Sequence, residues 1–93
     1  MSSTSSDFVV PPSVLVRQVD GEMVLLDLRS ERYYGLDAVG AAMVAALLEH
    51  PRERAIEALL AVFTINRERL VGDLDALVDR LTGAGLLVAT SRS

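Results

Sequence analysis

Ser13-Val-Leu-Val-Arg-Gln-Val-Asp-Gly-Glu-Met-Val-Leu-Leu-Asp-Leu-Arg-Ser-Glu-Arg-Tyr-Tyr-Gly-Leu36 decides the fold of this chain. The stretch is β-branched and apolar, and it is interrupted twice, by Asp20-Gly21 and by the polar group Arg29-Ser30-Glu31-Arg32. That punctuation predicts three short strands in a meander. Pro11-Pro12 forms a stiff lead-in to the first strand. Along the second, Val24, Leu26 and Leu28 share one face and Met23, Leu25 and Asp27 the other, and we take the former as the core face. Asp20-Gly21 alone favours a two-residue hairpin turn with Arg17 on the face of Val24. The side-chain pattern asks for one residue more in the loop, and we adopt its register. Val14 and Val16 then join Leu26 and Leu28, while Arg17 joins Asp27 on the other face. A slip of one residue inverts the whole arrangement.

Beyond Leu36 the period changes from two to about 3.6. Asp37 can cap a helix to about Leu48, with Val39, Met43, Ala46 and Leu47 inward. His50-Pro51 ends it, and Pro51 suits the first turn of a second helix reaching about Phe63, striped by Ala55, Ile56, Leu59, Leu60 and Phe63. Asn66 starts the third, with Leu70, Leu74, Leu77, Val78 and Leu81 inward and Arg67, Glu68, Asp75 and Asp79 outward. Gly83-Ala84-Gly85 stops it, and Leu86-Leu87-Val88 follows as a short extended tail. The expected fold is α+β and winged-helix-like: a three-stranded antiparallel sheet followed by three helices packed on one of its faces. Residues 1–12 and 90–93 are expected as disordered tails around one domain over 13–89.

Composition narrows the function. Ninety-three residues leave room for one domain. The absence of cysteine removes disulfides, thiolate nucleophiles and cysteine-based metal sites. His50 is the single histidine and sits at a helix junction, where an exposed turn residue is the simpler reading than a general base. The carboxylates Asp73, Asp75 and Asp79 are scattered along the last helix as a solvated face rather than a metal cluster. No glycine-rich phosphate loop or dinucleotide fingerprint is present, so neither enzyme, metal nor cofactor is expected. No apolar run approaches the roughly 20 residues of a membrane span, and Met1–Asp7 lacks the positive charge of a targeting segment, which predicts a cytoplasmic protein. A winged helix raises DNA binding, so a DNA-binding regulator is the alternative function. Against it, the last helix sets Arg67, Arg69 and Arg80 against Glu68, Asp73, Asp75 and Asp79, leaving one net negative charge where phosphate must be neutralised.

If the meander runs in chain order, its third strand, Arg32 to Leu36, lies at a sheet edge with unpaired N–H and C=O groups. Such an edge is a template for an added strand, or Tyr33 and Tyr34 merely cover the sheet's end. Here a resemblance enters. Leu25-Leu-Asp-Leu-Arg-Ser-Glu-Arg-Tyr-Tyr-Gly-Leu-Asp37, the small apolar helix Ala38 to Leu48, Asp73-Leu-Asp-Ala-Leu77 and Gly83-Ala-Gly-Leu-Leu87 together resemble the PqqD-like family. Within it, the chain looks like the stand-alone leader-recognition proteins of lasso-peptide biosynthesis. The likeness runs from Val14 to Val88; each piece is weak alone, and their order and spacing carry it. It implies a RiPP recognition element, a non-catalytic domain that captures the leader of a ribosomally made precursor. In that family the leader adds as a strand beside the third strand, in a groove walled by the third helix. Carried over, Arg32, Tyr33, Tyr34 and Gly35 would supply the pairing edge, and Leu70, Val71, Leu74, Leu77 and Val78 the groove wall. Core packing alone also explains Leu70, Leu74 and Leu77. Asp73 would meet a basic leader residue. Members that serve quinone-cofactor synthesis act on a different precursor. The chain ends without a fused peptidase, which implies a separate leader peptidase and an ATP-dependent lasso cyclase as partners, with no nucleic acid and no membrane.

Overall fold

Asp20 and Gly21 take positive φ angles of 53° and 81° in the computed structural model, which describes residues 6–90. Left-handed backbone at both central positions defines a two-residue type I′ hairpin turn, whose twist matches that of the strands it joins. It connects β2 (Val14–Val19) to β3 (Glu22–Asp27). Val19 faces Glu22, Val16 faces Leu25 and Arg17 faces Val24. The longer loop expected from the side-chain pattern is therefore wrong, and Arg17 and Asp27 lie on opposite faces. The face assignment reverses with it: Met23 and Leu25 are fully buried, whereas Leu28 is exposed and Val24 and Leu26 are half-buried. Local turn chemistry set the register, and the apolar residues left outward form a face that is apolar without being core.

The connection to β4 (Arg32–Leu36) is held by Asp27, whose carbonyl accepts from the Glu31 N–H at 2.8 Å and whose Oδ1 accepts from the Arg29 N–H at 3.0 Å. Glu31 pays for the tight reversal with a left-handed φ of 60°. The sheet order is β2-β3-β4, antiparallel throughout, with β4 at one edge.

Asp37 caps α1 (Ala38–Glu49) by accepting from the Gly40 N–H at 2.9 Å, as its position predicts. Met43 and Leu47 are buried as expected, joined by Ala41 and Val44, whereas Val39 is exposed. Helix α2 (Arg52–Val62) buries Ala55, Ile56 and Leu59. Helix α3 (Arg67–Gly83) starts on Asn66, which accepts from the Arg69 N–H at 2.8 Å, and buries Leu70, Leu74, Leu77 and Leu81. Gly85 ends it at φ 77°, and the Leu86 N–H returns to the Leu81 carbonyl at 2.9 Å, a Schellman stop that drops Leu86 and Leu87 into the core. The architecture is α+β, the three-stranded antiparallel sheet followed by three helices. Helix α1 packs on β3 and β4, and α2 bridges α1 and α3. No described helix is long and apolar enough to cross a membrane.

The ends of the chain add a second, two-stranded sheet. Phe8–Val9 (β1) pairs antiparallel with Val88–Ala89 (β5), and the Thr90 N–H donates to the Asp7 carbonyl at 2.9 Å. The tail expected over residues 1–12 thus contains a strand of the fold; residues 1–5 and 91–93 of the two expected tails lie outside the described residues. Asp7 also caps α2 from a distance, its Oδ2 accepting from the Arg52 N–H at 3.0 Å, where the local cap position holds Pro51 with no side-chain acceptor. The Arg52 side chain in turn pairs with Asp75 at 2.7 Å, so Asp75 ties α3 to α2 rather than simply meeting solvent.

Candidate peptide-binding edge and groove

The hydrogen-bond alternation of an antiparallel sheet identifies which groups β4 leaves open. The Leu28 N–H donates to the Ser13 carbonyl at 2.8 Å, so Leu28 and, by twos, Leu26, Val24 and Glu22 turn their main chain toward β2. Met23, Leu25 and Asp27 then bond Leu36, Tyr34 and Arg32 across the other side. What remains are Tyr33 and Gly35, whose N–H and C=O groups face away from the sheet. The Tyr33 side chain, 76% exposed, lies on the outer face, and Gly35 has open space where a Cβ would stand. The opposite edge, β2, begins with Val14, whose outward N–H is already taken by the Pro11 carbonyl at 3.0 Å.

Of the cavities that border β4, the two larger reach from it toward α3 or the turn that ends α3. One, of about 510 Å³, is lined by Asp27, Ser30, Arg32, Tyr33 and Tyr34 on the sheet side and by Gly83, Ala84 and Leu86 beyond the end of α3. The other, of about 370 Å³, lies between Tyr34–Gly40 and the α3 residues Asp73, Ala76, Leu77 and Arg80, with Met43 on its floor. Tyr34 lines both. Its hydroxyl accepts from Arg80 Nη1 at 3.2 Å, so one side-chain pair bridges strand and helix where the two cavities meet. In the first cavity the Arg29 N–H on the Asp27 carboxylate, helped by Ser30, holds its pKa below the ordinary 3.8.

Of the residues expected at the site, Arg32, Tyr33, Tyr34, Gly35, Asp73 and Leu77 border these cavities. Leu70 and Leu74 are 1% and 0% exposed and face the core, so plain packing accounts for them; Val71 and Val78 are half-buried and border neither cavity. Asp73 is exposed and only loosely engaged, 3.7 Å from Arg69 Nε one turn earlier. Sequence reasoning missed Asp27, Gly83, Ala84 and Arg80. The run Gly83-Ala84-Gly85 was legible as a helix stop, and the same lack of side chains opens the cavity there. Arg80 carried no signal of its own, because its partner Tyr34 is 46 positions away.

Among the described residues no three metal-ligating side chains come together. His50 lies beside Glu49 at 3.9 Å and borders none of these cavities.

Among curated proteins no sequence matches this chain. Two solved structures do. TbiB1 in complex with the TbiA(β) leader peptide is 30% identical, with a TM-score of 0.80 over 89% of this chain and 98% of that one. Lasso peptide synthetase B1 complexed with the leader peptide is 32% identical, with a TM-score of 0.80 over 89% of this chain and 99% of that one. The family model for coenzyme PQQ synthesis protein D (PqqD) matches residues 22–87, a span that takes in the sheet edge, both cavities and all three helices. The chain belongs to the PqqD family.

Proposed function

We propose that this chain is a RiPP recognition element that captures the leader of a lasso precursor peptide by adding it as a strand to β4. The observation that carries this is the edge at Tyr33 and Gly35: two N–H and two C=O groups without partners among the described residues, set over cavities that can take the side chains of one face of an added strand. Main-chain pairing supplies affinity, and the pockets beside Tyr34 and Leu77 supply choice. Both similar structures hold leader peptides and match over nearly their whole length, which supports the same use here. The role is non-catalytic. A separate leader peptidase and an ATP-dependent cyclase act on the presented precursor, in the cytoplasm where it is made. Against the alternative of a DNA-binding regulator stands the charge of α3, which is one net negative where phosphate would have to be neutralised.

The test is titration of a fluorescein-labelled lasso-precursor leader from the same organism, with a scrambled leader as control. Saturable binding at micromolar or lower concentration, with new protection of the Tyr33 and Gly35 amides in hydrogen exchange, is the expected result. Absence of saturation at about 100 μM, the affinity of a casual contact, refutes the proposal.

A further inference from the structure

Arg80 is held in the groove by a neutral group. The other two arginines of α3 have carboxylates: Arg67 pairs with Glu57 at 2.8 Å and Arg69 approaches Asp73 at 3.7 Å. Among the described residues Arg80 has no carboxylate within ion-pair distance. Its hydrogen bond is to the Tyr34 hydroxyl, 3.2 Å away across the groove. One of its five donors is thus used, on an acceptor that does not neutralise it.

The position is specific. Asp73, Ala76, Leu77 and Arg80 follow helical spacing and line one cavity, so they form a single stripe of α3 along the groove. Asp73 does not neutralise Arg80, because seven residues of helix separate them by about 10 Å along the axis. A strand laid on β4 turns alternate side chains toward this stripe and removes water from it. A guanidinium covered in that way without a negative partner loses hydration and gains little, whereas a carboxylate meets its planar fork in two parallel hydrogen bonds.

Resting on the leader-binding proposal, we infer that Arg80 is a specificity-determining residue for an acidic side chain: it takes the carboxylate of an Asp or Glu on the helix-facing side of the bound peptide, with the Tyr34 hydroxyl holding the guanidinium in place. The recognised peptide carries an acid at one fixed position relative to its apolar anchors. Peptides with an amide or a basic residue there are discriminated against.

The experiment selects wild type and Arg80→Glu in parallel against a displayed library of random peptides. The expected result is that wild type enriches Asp or Glu at one position of its motif and Arg80→Glu enriches Lys or Arg at that position, the rest of the motif being shared. A peptide selected on wild type then loses about tenfold in affinity when its acid becomes the amide, and about tenfold on Arg80→Gln. The two changes together cost no more than either one, as required of groups that contact each other. Arg80 is an exposed residue of the helix, and melting curves of both variants control for folding. Motifs without a fixed acid, an unchanged preference on Arg80→Glu, or additive losses overturn the assignment while leaving leader binding intact. Failure of wild type to enrich any motif that protects the β4 edge overturns the leader-binding proposal itself, and this one with it.

Discussion

Replacing Gly35 with proline separates the free edge of β4 from its paired side. The register places Gly35 opposite Val24 in a pair whose main-chain groups point away from each other, so the Gly35 N–H belongs to the open edge. Proline deletes that donor and puts ring carbon in its place. A bound strand loses one hydrogen bond of about 1 kcal/mol, and its carbonyl faces an apolar ring at a further cost of about 1 kcal/mol or more. Together this is at least a tenfold loss of affinity. The fold should tolerate the change. A Cβ at position 35 meets no atom within 4 Å, Tyr34 is already extended as a residue before proline must be, and no ladder bond to β3 is removed. Fluorescence anisotropy with labelled leader, beside thermal melts of the same samples, measures both effects, with Gly35→Ala as the control that keeps the donor. Tyr34→Pro should behave oppositely and destabilise the sheet, since its N–H faces β3. A folded Gly35→Pro that binds within about twofold of wild type, or one that unfolds while Gly35→Ala does not, refutes the assignment of Gly35 to the free edge.

Other residues make further expectations. Asp7→Ala removes the distant cap of α2 and should cost about 1 kcal/mol, a fall of roughly 4 to 8 °C in Tm for a domain of this size, which calorimetry would read. The Asp27 carboxyl is held below its ordinary 3.8 by the Arg29 N–H, so its contribution to the β3–β4 turn is present above that value and is lost as pH falls through the lower folded one. Asp27→Asn should therefore flatten the acid limb of stability against pH below about pH 4, and an unchanged limb would remove Asp27 from the turn's support. Asp73→Ala should slow capture of a leader with a nearby basic residue and weaken it by about 1 kcal/mol at low salt, with little change in Tm. Asp75→Ala should leave binding alone but lower stability by up to about 1 kcal/mol through the lost Arg52 pair; equal binding by the two variants at low salt counts against Asp73 lining the groove.

What the sequence determined by itself was local. Asp37 and Asn66 mark helix starts because their short side chains reach a backbone N–H three residues on, and Gly85 marks a helix end because it accepts left-handed backbone cheaply. The stripes of α2 and α3 and the three-strand meander followed from period alone, and the tyrosine edge was visible once the strands were ordered. The core face of β3 was not, because Met23 and Leu25 on one side and Val24, Leu26 and Leu28 on the other are equally apolar, and hydrophobicity cannot choose between them. The cue that could choose was Asp20-Gly21, whose two-residue turn sets parity for the whole hairpin. Everything else that tertiary structure decided joins residues far apart in the chain: Phe8–Val9 with Val88–Ala89, Asp7 with the start of α2 across 45 positions, and Arg80 with Tyr34 across 46. Side-chain contacts at that separation leave no period in the sequence, since each depends on where the packed core delivers the two elements. The groove beside β4 is such a product, made by the distance at which α2 and the Schellman stop hold α3 from a strand edge that nothing else in the described chain covers.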